Sequence, residues 1–139
     1  KTWLEKVFKY IAQSSNPNVM THAFGIGTLN ILEQFPFTSA DSTTWLKVSS
    51  FGSIIINGKV LCVSRRQIHN PEFVLNQSPA LIEDVKTICK DIGITLDDLL
   101  DENDTVGRTN RECFNLTYLK RWADNYQYRG KNLFKHELF

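Results

Sequence analysis

An α/β chain with a short parallel-sheet section, a β-hairpin and a helical C-terminal region is the fold class the sequence predicts, and three observations predict it. Helical and strand-like spacings alternate over residues 2–42, the βα rhythm of a parallel sheet or barrel. Asn57-Gly58 separates two apolar runs, the strongest short hairpin signal. Beyond Ser64 the apolar spacing becomes helical again.

In chain order, Thr2–Gln13 sets Trp3, Leu4, Val7, Phe8 and Ile11 on one stripe, which predicts a helix that packs by one face. Ser14–Asn18 is a turn cluster. Val19–Phe24 then reads as a mostly apolar strand covered on both faces, ended by Gly25 and Gly27. Thr28 is placed to cap a short helix carrying Leu29, Ile31, Leu32 and Phe35, which Pro36 stops. Phe37–Ser42 is the next strand.

Ser53–Ile56 and Val60–Val63 form the hairpin, because both central positions of a type I′ turn need positive φ and Asn-Gly tolerates it. Ser78-Pro79 supplies a cap and a first-turn proline for a helix whose Leu81, Ile82, Val85, Ile88 and Cys89 face inward and which Gly93 closes. Thr95–Leu100 is a brief helix with Thr95 and Asp98 spaced as a near capping box. Asp101–Thr105 is a loop. A longer helix runs from Thr109 or Asn110 to Tyr126, with Phe114, Tyr118, Leu119 and Trp122 as core. The expected division is a section with the hairpin over 1–70 and a helical region over 71–139 packed on it.

Composition excludes several functions. The 139 residues suit one respectable core, and 16 Lys and Arg against 15 Asp and Glu leave a net charge of +1, so bulk charge announces neither nucleic acid nor membrane. Lys1–Gln13 has no long apolar run and no small-residue cleavage site, which predicts an intracellular, cytoplasmic chain without a membrane partner. Cys62, Cys89 and Cys113 are odd in number and widely spaced, and His22, His69 and His136 are scattered. Reduced structural thiols, no metal and no cofactor are expected.

The stretch Thr21-His22-Ala23-Phe24-Gly25-Ile26-Gly27, followed by Ser39-Ala40-Asp41-Ser42, admits two readings. The glycines end a strand and Asp41 caps the turn after the next one. Alternatively, both strand ends lie at the C-terminal rim of a barrel, where active sites form.

Phe24-Gly25-Ile26-Gly27, a short helix, Ala40-Asp41-Ser42-Thr43, and then Gly52-Ser53-Ile54-Ile55 with Asn57-Gly58-Lys59-Val60 resemble the last two barrel strands and following hairpin of tRNA-guanine transglycosylases. His22-Ala23-Phe24-Gly25 with Ser39-Ala40-Asp41-Ser42-Thr43-Thr44-Trp45 is more similar to phage and bacterial relatives that insert 7-deazaguanine bases into DNA. The similarity covers Val19–Val63. It implies an α/β fold made of the last strand-helix units of a TIM-type barrel, and an enzyme that exchanges guanine for a 7-deazaguanine base in DNA or tRNA, with DNA the expected partner ahead of tRNA. Asp41 would be the nucleophile that attacks C1′ and holds the sugar covalently, while His22, Ala23, Phe24 and Gly25 would line the substrate site. A hydrogen-bonded core role for His22 stays equally open.

Ser42–Lys47 replaces the Asp-Cys and Pro-Thr-Arg that typical tRNA enzymes carry there, and the family's zinc-binding cysteines are absent. A barrel needs roughly 250 residues, so the resemblance implies a missing N-terminal segment or a partner chain, without which catalysis is not expected.

Nucleic-acid contacts are expected from Lys59, Arg65, Arg66 and His69 near the hairpin, and from Arg108, Arg111, Lys120, Arg121, Arg129, Lys131 and Lys135. Arg111, Lys120 and Arg121 interleave with Glu112 and Asp124, which also fits an ordinary solvated helix face. Tyr126, Tyr128 and Phe134 in the basic tail are available to stack on bases or to pack. The alternative to an enzyme section is a non-catalytic small α/β nucleic-acid-binding module or a degenerate barrel remnant.

Overall fold

A computed structural model of the chain describes residues 2–103 and 105–129 and shows a mixed helix and sheet structure. It divides at Thr43 and at Asn125 into two compact units. One is Thr44–Asn125; the other joins the segment up to Thr43 to the described residues from Tyr126.

In that second, terminal unit, α1 (Thr2–Ala12) is followed by β1 (His22–Ala23), α2 (Leu29–Gln34) and β2 (Ser39–Ala40). The strands pair in parallel, His22 with Ser39 and Ala23 with Ala40, and α2 supplies the crossover that parallel pairing requires. Leu4, Phe8 and Phe35 form the core, joined by Ile11, Ile31, Phe37 and Tyr128. The Phe8 ring stacks on Phe35 at 5.5 Å and meets Phe37 edge-on at 5.0 Å.

Two expectations are corrected here. Trp3 is 69% exposed, because the buried stripe of α1 runs through Leu4, Phe8 and Ile11 and leaves Trp3 about one residue's turn away from it. The strands are two residues long rather than six, and Val19, Met20 and Phe24 are exposed instead of covered. Each strand has one partner, so little backbone pairing extends it.

The other unit begins with α3 (Thr44–Ser50) and continues into β3 (Ser53–Ile56) and β4 (Lys59–Cys62). Asn57 and Gly58 take φ of 49° and 72°, the left-handed pair that the hairpin turn demands. Ile54, Ile55 and Ile56 are all buried, since α3 and α6 pack on β3. Short 3-10 turns at Arg65–Gln67 and Val74–Asn76 lead to α4 (Pro79–Asp91), α5 (Leu96–Leu99) and α6 (Val106–Asp124).

Thr28 stands at the start of α2 without a side-chain cap bond, whereas the caps of α4 and α5 follow the sequence. The Ser78 hydroxyl accepts from the Leu81 N–H, and Thr95 and Asp98 complete a capping box on α5. α6 starts earlier than its apolar spacing suggests because the Asn103 side chain accepts from the Thr105 and Val106 N–H groups. One cluster, including Ile54, Ile56, Leu61, Phe73, Val85, Leu99 and Phe114, unites the hairpin with α4, α5 and α6. This core draws on residues before and after residue 70, as an isolated hairpin is marginal and borrows helices to bury its face.

Arg111 is buried, not on a solvated face. Its Nε donates to the Ser49 carbonyl at 3.1 Å and its Nη1 to the carbonyls of Leu99 and Asp101 at 3.4 and 3.1 Å. Fully buried Asn115 accepts from the Ile55 N–H at 2.7 Å and donates to Ser49 Oγ at 2.9 Å and to the Trp45 carbonyl at 3.3 Å. Gly107 lies on the same face, and a Cβ there would fall 2.1 Å from the Asp101 carbonyl oxygen. Polar residues thus occupy the inner stripe of α6, which is why its periodicity misleads.

Candidate functional site

The parallel pairing of β1 and β2 brings both carboxyl ends to one end of the pair, and the site grows from there. Residues two apart on a strand share a face, so His22 lies with Phe24 and Ser39 with Asp41. His22 and Phe24 ring centroids are 6.4 Å apart. The chain leaves β1 through Gly25 at φ 71°, a left-handed conformation that side-chain-bearing residues resist.

Asp41 is held from the β1 side. Its N–H donates to the Ala23 carbonyl at 3.2 Å, and its Oδ1 accepts from the Gly25 N–H at 2.9 Å. His22 Nε2 lies 3.4 Å from the same oxygen, and His22 Nδ1 lies 2.9 Å from Ser39 Oγ. The imidazole and carboxylate side chains are 48% and 55% exposed, so the group is open to solvent and to a ligand. A Cβ on Gly25 would meet nothing within 4 Å, so the space before it is open too.

Four of the five residues singled out from sequence therefore come together: His22, Phe24, Gly25 and Asp41. Ala23 differs. Its side chain is 1% exposed and turned away from His22, leaving only its backbone to serve the site. Ser39 was missed as a site residue; its position two before Asp41, on a strand beside His22, was the available signal.

The expected cationic residues are spread and mostly paired. Arg65 donates to Asp97 at 3.2 Å, Arg66 Nε lies 3.5 Å from Glu102, and Arg129 lies 3.8 Å from Glu33. Arg108, Lys120 and Arg121 face Glu112, Asp124 and Asp91. Lys59 and His69 are exposed, whereas Lys131, Lys135 and Phe134 lie outside the described residues. Tyr128 packs in the terminal core and Tyr126 donates its hydroxyl to the Leu32 carbonyl at 2.9 Å. Burial pushes both phenols upward, helped by the Glu33 charge at Tyr126 and by Tyr126 at Tyr128.

A polar cavity of about 260 Å³ in the unit Thr44–Asn125 is lined by Phe51, Gly52, Ser64, Arg66, Glu102 and Arg111 among others. Its Glu102 carboxylate accepts from Ser64 Oγ and the Arg65 N–H and faces Arg66, which consumes much of the cavity's bonding capacity.

Among the described residues no group of three or more His, Cys, Asp or Glu side chains is placed to hold a metal. Cys62 and Cys89 are buried thiols and Cys113 is exposed; burial, with the Asp98 charge, pushes the Cys89 thiol up to about 11. No helix among the described residues is long and apolar enough to cross a membrane. In comparison with known proteins, the chain matches no family model, no curated protein and no solved structure.

Proposed function

We propose that this chain is the C-terminal section of a TIM-type barrel transglycosylase that exchanges guanine for a 7-deazaguanine base in nucleic acid, with DNA the favoured substrate and Asp41 the nucleophile. The observation that carries the reading is the half-exposed Asp41 carboxylate, tethered by the Gly25 N–H at 2.9 Å beside His22 at the carboxyl end of a parallel strand pair. Ligand chemistry on parallel α/β sheets gathers at that end of the strands.

The step balances simply. An Asp41 oxygen lone pair forms a bond to C1′ as the C1′–N bond breaks, and the electron pair leaves with guanine, which takes a proton from water. The incoming base loses its ring N–H proton to water, bonds to C1′ through that nitrogen, and returns the carboxylate. The exposed Phe24 ring offers a flat apolar face for a purine, and Gly25 lets the base approach the backbone.

Exposed Trp3, Val19 and Met20 fit a section whose remaining strands and helices come from a preceding segment or a partner chain. The non-catalytic binding-module reading draws less support, because Arg65, Arg66 and Arg129 already face carboxylates and can neutralise phosphates only in part.

The test is covalent capture. In the intact protein or complex that contains this chain, guanine-bearing DNA without the incoming base should give a denaturation-resistant adduct, which the incoming base should discharge. Asp41→Asn should abolish it while DNA retention persists. An adduct that survives the substitution removes the reading.

A further inference from the structure

We infer that His22 is the positioning residue for Asp41, and that Ser39 sets its tautomer so that Asp41 Oδ2 is the oxygen kept for bond formation; this rests on the Asp41-nucleophile reading above. Three distances carry it: Ser39 Oγ to His22 Nδ1 at 2.9 Å, His22 Nε2 to Asp41 Oδ1 at 3.4 Å, and the Gly25 N–H to that same oxygen at 2.9 Å.

Electrostatics selects the proton arrangement. A neutral ring with its proton on Nδ1 would aim the Nε2 lone pair at a carboxylate oxygen, and two acceptors would face each other. With the proton on Nε2, the ring turns its N–H edge toward Oδ1 at 3.4 Å and Nδ1 accepts from the Ser39 hydroxyl, so each ring nitrogen faces a group of matching polarity. Oδ1 then accepts from the Gly25 N–H and faces the imidazole, while Oδ2 accepts nothing from the described residues. The two oxygens become inequivalent: one is an anchor and the other retains its lone pairs for C1′. β1 and β2 hold the arrangement, because His22 is in register with Ser39 and Asp41 follows two residues later on the same face.

The consequence is a rate effect larger than any binding effect. Misplacing a reacting group by about 1 Å costs on the order of 100-fold. In the intact protein or complex, His22→Phe should therefore slow adduct formation by roughly 10- to 100-fold, a larger change than in KM. His22→Gln, which keeps an N–H donor, should recover part of that loss, and Ser39→Ala should give a smaller one by releasing the tautomer. A His22→Phe adduct rate within about twofold of the parent, alongside a dead Asp41→Asn, overturns the positioning role and leaves the nucleophile standing. An adduct on Asp41→Asn overturns both.

A second measurement does not depend on activity. Nitrogen NMR of the imidazole in the unsubstituted chain should show His22 as the Nε2–H tautomer, and Ser39→Ala should weaken that preference. An Nδ1–H ring, or an even mixture in the unsubstituted chain, overturns the inference.

Discussion

Asp41 and Asn115 make the same kind of bond in opposite surroundings. Each uses a side-chain oxygen to accept from a backbone N–H distant in sequence, Gly25 at 2.9 Å for Asp41 and Ile55 at 2.7 Å for Asn115. Asp41 is charged and more than half exposed, while Asn115 is neutral and fully buried. What separates them is what replaces the bond when it is lost. Water can reach Gly25, but nothing can reach Ile55, so the buried contact fixes the unit Thr44–Asn125 and the exposed one is available for chemistry.

The largest expected effect breaks the buried member. Asn115→Leu keeps the forked side-chain shape yet strands the Ile55 N–H and takes a donor from Ser49 Oγ and the Trp45 carbonyl. An orphaned buried polar group costs roughly 1–3 kcal/mol, so with the weakened Ser49 contact the loss should be roughly 2–4 kcal/mol, read from the urea midpoint. A loss under about 1 kcal/mol would mean that the network is not holding α3, β3 and α6 together. Asp41→Ala should cost about 1 kcal/mol or less in the same measurement, because solvent replaces an exposed ionic contact. A comparable loss in both variants would erase the contrast and mark Asp41 as structural.

Elements governed by local chemistry were legible in the sequence. Asn57-Gly58, Ser78-Pro79, Gly93 and the Thr95–Asp98 pair each act within a few residues, and each turn or cap stands where its residues place it. Long-range polar burial was not legible. Arg111 has the spacing of a surface cation beside Glu112, and only the carbonyls of Ser49, Leu99 and Asp101, brought in by folding, make it an interior residue. The extended stretches were legible by position but not by length, since pairing rather than composition decides how far a strand runs. In the site, strand order brings the carboxyl ends that carry His22, Gly25 and Asp41 to one end of the pair. The Ser39–His22 contact needed the register, which a sequence without a hairpin turn between its strands does not specify.

The smallest effect sharpens the comparison with a third side chain. Asp98 is exposed like Asp41 but sits in the same unit as Asn115, where it accepts from the Thr95 N–H at 2.6 Å and the Thr95 hydroxyl at 2.7 Å. Those bonds favour the carboxylate, and the backbone one leads in holding its pKa below the ordinary value. A group depressed in the folded state adds stability above its unfolded pKa, near 3.9, and loses it as pH falls through the folded value. Unfolding midpoints should therefore decline on acidification from about pH 4 downward, and Asp98→Asn should flatten part of that decline while lowering the neutral-pH midpoint slightly. If the acid limb were identical in the variant, the capping carboxylate would add nothing that depends on its charge. Exposed bonds in this chain would then matter for geometry alone.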